Sequence, residues 1–528
     1  MILRFFPRWL LVLVAFPVLL LPVCAADVPS QIDQFIVERA KQAGQPLSPL
    51  ASDAEFLRRV FLDFAGRIPT VAEARAFLAD SSPKRREQLI DRLIDGPEYG
   101  SAMATAMHIA LMERLGDHPL WTKYLTTSFA ENRPWNQIVR EILWQPPDDE
   151  KTAGAAFFLA KRLEKIGQNP VDYSGLTRDV GRLFLGKNLG CAECHDHLFI
   201  DDYKQAHFQG LHAFFKNSYL VNLNPPQVGE KPTTQKSTFA SVFTKIEMMT
   251  GPALPGGIML DVPNFKPGDE YLVPPNPKSK SPGVLKFSPL KAASEQIPMP
   301  TNRDFVRNSV NRFWFLLMGR GLVHPLDLSH SRNPASHPEL LEFLADQFIE
   351  HHFDVKWLMK TLARTDAYQR SSLLPSGVDD APEKLFTTAL ERRLSPEQLA
   401  TSVAIALGEQ PSPALTAKFI KAFANQPREP EEEINPSLSG SLFILHDSAI
   451  LSLLQPKPGN LIDRLQKLAD TAKVAEELYL ALLSRTPSPE EIATVAEVLL
   501  QRSATDRPQV LANLVWSLLA SMEFRVNH

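Results

Sequence analysis

The chain has 528 residues, 44% of them apolar and 22% charged, with a net charge of −4. This is the composition of a globular protein rather than a disordered or fibrous one. No basic patch stands out, which argues against a nucleic-acid partner, and three cysteines are too few for a fold built on disulfides.

The first 26 residues follow the three-part plan of a secretory signal peptide. Arg4 and Arg8 give a positive start, and Leu10 to Leu21 is almost entirely apolar. Val23-Cys24-Ala25-Ala26 supplies a small-residue exit before Asp27 and Pro29. Cleavage is expected after Ala25 or Ala26. The apolar stretch is shorter than the roughly 20 residues of a spanning helix. Cys24 lacks the small residue that a lipoprotein cysteine would have directly ahead of it. The mature protein is therefore expected to be exported, periplasmic or associated with the cell envelope. No later segment is apolar for long enough to cross a bilayer. Its length predicts two or three domains.

The expected fold is mainly α: two helical domains, 27–221 and 301–528, joined by a Pro-rich, partly β irregular insert at 222–300. In the first domain, Ser52-Asp53-Ala54-Glu55 and Thr70-Val71-Ala72-Glu73 read as capping boxes. Phe56, Leu57, Val60, Phe61 and Phe64 then recur at helical spacing. The insert holds 14 of the 44 prolines. Helical periodicity vanishes there, and Thr238 to Met248 suggests a strand or two. Helix returns near 302, with Phe305, Val306, Val310, Phe313, Trp314 and Leu317 on one face and Gly319 and Gly321 at its end. Ser336-His337-Pro338-Glu339 opens the next helix, and Ser395-Pro396-Glu397-Gln398 and Ser488-Pro489-Glu490-Glu491 open two more, each of these two with Pro at the first helical position.

One motif carries chemistry. Cys191-Ala192-Glu193-Cys194-His195 has the spacing of c-type haem attachment. Two thiols about one turn apart can each add to a haem vinyl group, and His195 then supplies the axial imidazole. His207, His212, Met248 and Met249 are candidates for the opposite face of the iron, whereas His197 lies too close to His195 to reach it. Three other readings stay open. Cys191, Cys194, Asp196 and His197 could bind zinc or iron instead, with His195, His207 and His212 nearby. The two cysteines could form a disulfide, or they could be free thiols with no role. No Gly-x-Ser-x-Gly elbow, His-Glu-x-x-His helix or phosphate loop occurs, so no catalytic activity is assigned.

The stretch from Phe184 to His197, followed by Gly210 to Phe215, resembles a planctomycete-type cytochrome-c-like domain of unknown function. The opening from Arg59 to Pro69 is similar to the start of that domain. Val310 to Trp314, Gly319 to Val323, Pro334 to Leu341, Tyr368 to Ser372 and Glu523 to His528 resemble its usual C-terminal partner domain, also of unknown function. The resemblance implies an exported protein with haem on Cys191, Cys194 and His195, and it makes Asp196 and His197 part of the motif. His207 and His212 are not positions of that pattern. The expected role is electron transfer or redox ligand binding, with a redox partner or a cell-envelope component as the partner. The alternatives are a zinc- or iron-binding protein without haem, or a cell-envelope scaffold without catalysis. In the second half, Asn311 and Arg312 are expected to make cap or interdomain hydrogen bonds. Ser336, Pro338 and Glu339 are expected to cap a helix, and Trp314 and Trp516 to anchor apolar contacts. The competing reading places Arg312, Arg320 and His337 in a cleft facing the haem.

Overall fold

Several helices begin where the sequence supplies a side-chain cap. The computed structural model describes residues 27–146, 149, 151–278, 281–429, 438–500 and 506–528. The expected signal peptide, Cys24 included, lies outside them. The elements that position the site are α1 (Asp53–Ala65), α2 (Tyr99–Met112), α3 (Tyr173–Leu185), α4 (Gln205–Phe215), β1 (Ser237–Ala240), β2 (Glu247–Thr250), α5 (Arg303–Met318) and α6 (Pro396–Leu407). The fold is mainly α. Among the described residues, strand is confined to four two-stranded antiparallel pairs.

Thr70 and Ser395 form full capping boxes with Glu73 and Gln398. Ser488 and Glu491 exchange the same two bonds, at 3.2 and 2.7 Å. Each such cap is worth about 1 kcal/mol. Two expected caps differ. Ser52 does accept the Glu55 amide at 3.2 Å, but Glu55 turns to Arg59 at 2.9 Å and to the Ser372 amide at 2.8 Å. Ser336 does not cap the helix Pro338–Glu350. His337 occupies that position without a side-chain bond, and the Ser336 hydroxyl lies 3.0 Å from the His337 Nδ1.

Two apolar cores divide the chain, but not at residue 301. The first gathers side chains from Ile32 to Phe215, then Leu290, Ala293 and Ile297, then Phe305 to Tyr368. The second gathers Leu394 to Phe524 and takes Leu62 and Ile68 from the first half. The reason lies in α5. Phe305, Val310, Phe313, Trp314 and Leu317 are buried there, and so are Asn308, Ser309 and Asn311 on its other faces. A helix buried on several faces packs inside a core rather than forming the outer layer of a separate domain. Trp135 donates from Nε1 to the Ser309 hydroxyl at 3.0 Å and meets Phe313 edge-on at 5.4 Å. Burying each such ring contributes roughly 1.5–3 kcal/mol. The 301–528 unit expected as one docking domain is therefore split between the cores.

The insert carries the β1–β2 hairpin, with Thr238 opposite Met249 and Phe239 opposite Met248. It also holds a helix, Pro289–Gln296, which packs Leu290 and Ala293 into the first core. The cores are tied together by two buried arginines of α1. Arg58 donates to the carbonyls of Leu482 at 3.2 Å and Phe524 at 2.6 Å. Arg59 donates to those of Arg370 at 2.8 Å and His528 at 3.2 Å. Burial lowers the Arg58 guanidinium to about 10. No described helix is long and apolar enough to cross a membrane.

Candidate functional site

The Cys motif sits in the loop between α3 and α4. Gly186 ends α3 at φ 66°, where a Cβ would come within 3.0 Å of the Asn308 Oδ1, so glycine is required there. The chain then makes a short 3-10 turn at Cys191–Glu193 rather than a stretch of α-helix. Buried Ala192 anchors the turn, while Cys191 and Cys194 are exposed and are not joined by a disulfide.

The polar residues of the motif divide by task. The Glu193 carbonyl accepts from the Gln209 side chain at 2.9 Å, and its carboxylate pairs with Arg178 at 2.7 Å. Asp196 accepts the Gln205 amide at 2.8 Å, which anchors the first turn of α4. The His197 Nδ1 accepts the amides of Phe199 and Ile200 at 3.1 and 3.0 Å. A neutral imidazole that accepts at Nδ1 carries its proton on Nε2, the wrong form for metal ligation through Nε2. His195 is the reverse. Its Nδ1 lies 2.6 Å from the Asp196 carbonyl, which can only accept. Nδ1 is therefore the donor, and in the neutral ring this leaves the lone pair on Nε2, the arrangement usual for an imidazole that binds a metal.

The β1–β2 hairpin leans on this turn. The Val242 amide donates to the Cys194 carbonyl at 3.1 Å. The Phe243 ring centroid lies 4.7 Å from that of His195. Gln205 donates to the carbonyls of Ala240 and Glu193 at 3.2 and 3.4 Å. Exposed apolar side chains lie near the turn in the chain and on the hairpin that contacts it. Leu198 and Phe199 follow the motif, and Val242, Phe243 and Ile246 stand at the hairpin tip. Phe199 is 69% exposed and Phe243 64%.

The candidates for the opposite iron face are spread out. His207, at the start of α4, has its Nδ1 3.0 Å from the Asp202 carbonyl. His212 stacks on Phe208 at 5.9 Å and faces Met249 across a hollow of about 340 Å³. Burial lowers the basicity of both histidines. Met248 is exposed on β2. Among the described residues, no three His, Cys, Asp or Glu side chains gather into a metal-binding group. The set Cys191, Cys194, Asp196 and His197 is not assembled, because Asp196 and the His197 Nδ1 are both engaged by backbone amides.

A loop from the second half braces the motif. The Asn188 amide donates to the Asp327 carbonyl at 2.8 Å, and the Ser329 amide to that of Gly186 at 2.9 Å. Beneath it, Arg182 binds Glu113 and Asp327, each at 2.7 Å, and Asp179 at 3.1 Å. Arg162 pairs with Asp179 at 2.8 Å. Arg312 pairs with Asp327 and donates to the Arg182 carbonyl at 2.9 Å. Sequence reasoning missed Gln205, Gln209 and Phe243. The four-residue spacing of the glutamines on one face of α4 was the only signal for any of them.

The remaining expectations for the second half resolve into structure. Asn311 clasps the Val323 backbone at 2.8 and 3.0 Å. Gly319 ends α5 at φ 77°. Trp314 is buried edge-on to Phe386 at 5.2 Å, and half-buried Trp516 packs on the second core. Arg320 pairs with Glu383 at 3.0 Å. His337 is 3% exposed, and burial drives it down to about 4. Of Arg312, Arg320 and His337, only Arg312 lines the cleft between the cores.

Two family models match the chain. Residues 31–219 match PSCyt2 and residues 292–452 match PSD1, each described as a protein of unknown function (DUF1549 and DUF1553). No curated protein and no solved structure matches.

Proposed function

We propose that this chain, which joins a PSCyt2 domain to a PSD1 domain, is an exported c-type haem protein that transfers electrons or binds a small redox ligand. Its residues fit the group. Two exposed, unpaired thiols lie within one tight turn, and the His195 Nε2 is left open by the Nδ1 contact with the Asp196 carbonyl. That contact is the observation that carries the reading. Cys191 and Cys194 would hold the haem through thioethers to its vinyl groups, and His195 would bind its iron. The bound group would supply a one-electron iron couple. Phe243 and Val242 would then limit water around His195, and the Asp196 carbonyl would hold the ring's orientation and raise its basicity. A single protein imidazole suffices for such a site, so it does not need the three-ligand cluster that a zinc or iron centre would.

The test is expression in a host with cytochrome maturation machinery, followed by a pyridine haemochrome spectrum. A c-type band is expected, and it should be lost in the Cys191→Ala, Cys194→Ala double variant. Intact protein without that band would overturn the proposal. Stoichiometric zinc in its place would point to the non-haem alternative.

A further inference from the structure

A cleft of about 770 Å³ opens between the two cores, walled by α2, α5 and α6. Its size falls within the roughly 300–1,000 Å³ of sites that enclose small organic molecules, and such sites favour domain boundaries. Ala102, Ala106 and Ile109 of α2, Phe315 and Leu316 of α5 and Ile405 of α6 supply its apolar surface.

The charged groups of the lining fix what kind of molecule it can hold. Arg67 is already gripped by Glu98 at 2.7 Å and by Glu73 at 2.9 Å. Arg392 holds Asp63 at 2.9 Å. Arg312 is paired with Asp327, and the carboxylates of Glu113 and Glu397 are matched by Arg182 and Arg114 from behind the wall. Of the charged lining residues only Glu391 and Arg393, exposed and of opposite sign, stand outside the pairs, and they add no net charge. Among the paired groups an anion would have to displace a carboxylate from its arginine, and a cation an arginine from its carboxylate. Either exchange breaks a partly desolvated pair. A neutral apolar molecule needs neither, and it releases water held against apolar walls.

We propose that this cleft is a binding site for a neutral, predominantly apolar small molecule. The site is separate from the Cys191 turn and does not depend on haem.

Titration of the full chain with Nile red, a neutral apolar dye, tests this directly, with 8-anilinonaphthalene-1-sulfonate as the anionic comparison. Nile red should bind saturably at one site. Ala106→Trp, which fills the cleft, and Ile405→Glu, which adds an unpaired carboxylate, should each weaken binding by about tenfold or more. A Phe243→Ser, Ile246→Ser variant at the hairpin tip should leave that site unchanged. The sulfonate should not compete for it. Should Ala106→Trp fail to fold, Ile405→Glu decides, with its fold checked by circular dichroism. The proposal falls if wild-type protein shows no saturable Nile red binding, if the folded cleft variants bind as wild type does, or if the sulfonate binds the same site equally well.

Discussion

The Cys191 turn and the charge cluster around Arg182 lie on adjacent segments, joined through α3, yet they treat polar groups in opposite ways. In the cluster, guanidinium and carboxylate groups are largely withdrawn from water and satisfy one another: the Arg162 side chain is 0% exposed and that of Glu113 is 5%. In the turn, Cys191 and Cys194 face solvent, and His195 keeps one ring nitrogen free while backbone and amide contacts hold the loop in shape. Groups that build the fold have their bonding capacity filled by each other. Groups available for chemistry are held in place by neighbours that leave that capacity open.

The contrast breaks most visibly at Arg182. Arg182→Met would leave Glu113, Asp179 and Asp327 facing each other with less positive charge among them. Removing one member of such a buried set costs about 3–5 kcal/mol. At about 2–4 °C per kcal/mol for a domain of this size, calorimetry should show a melting temperature lowered by roughly 6–20 °C. A loss under about 2 °C would mean that the cluster is not architectural.

A smaller effect is expected at the edge between the two regions. Asp196→Ala removes the acceptor of the Gln205 amide and should cost about 1 kcal/mol, the usual value of a helix-start contact. Hydrogen exchange should accelerate in the first turn of α4 and stay unchanged in α3. Equal acceleration in both would show that Asp196 supports the fold more widely than its contact implies. The smallest effect belongs to the thiols. The Cys191→Ser, Cys194→Ser variant without cofactor should keep its stability within about 0.5 kcal/mol, because both side chains are exposed and unpaired. A melting shift beyond about 3 °C would assign the cysteines to the fold instead.

What could be read in the sequence was what local chemistry decides. Thr70 with Glu73 and Ser395 with Gln398 state their helix starts outright, and the hairpin within 237–250 falls where strand was expected. Arg312, expected to make a cap or interdomain hydrogen bond, donates to the Arg182 carbonyl within the first core. What was hidden depends on partners distant in the chain. Periodicity announces that α5 is buried, but not that its covers include Trp135 on one side and Phe386 on another. Asp196 and His197 carry side chains that serve equally as metal ligands and as acceptors for backbone amides. In this structure both accept backbone amides, from Gln205, Phe199 and Ile200, which no local pattern announces. Nothing local to Asn188 foretells its bond to Asp327.

The two arginines of α1 also set an order in time. Arg58 donates only to main-chain carbonyls, and one of them, that of Phe524, lies 466 residues further along. Until that segment exists, the Arg58 guanidinium has no buried partners and must stay in water, which keeps α1 from settling fully into place. At the usual 5–20 residues per second of synthesis, the wait is on the order of a minute. During that interval the first core lacks the bonds that tie α1 to the second, so its final packing waits for the C-terminal segment.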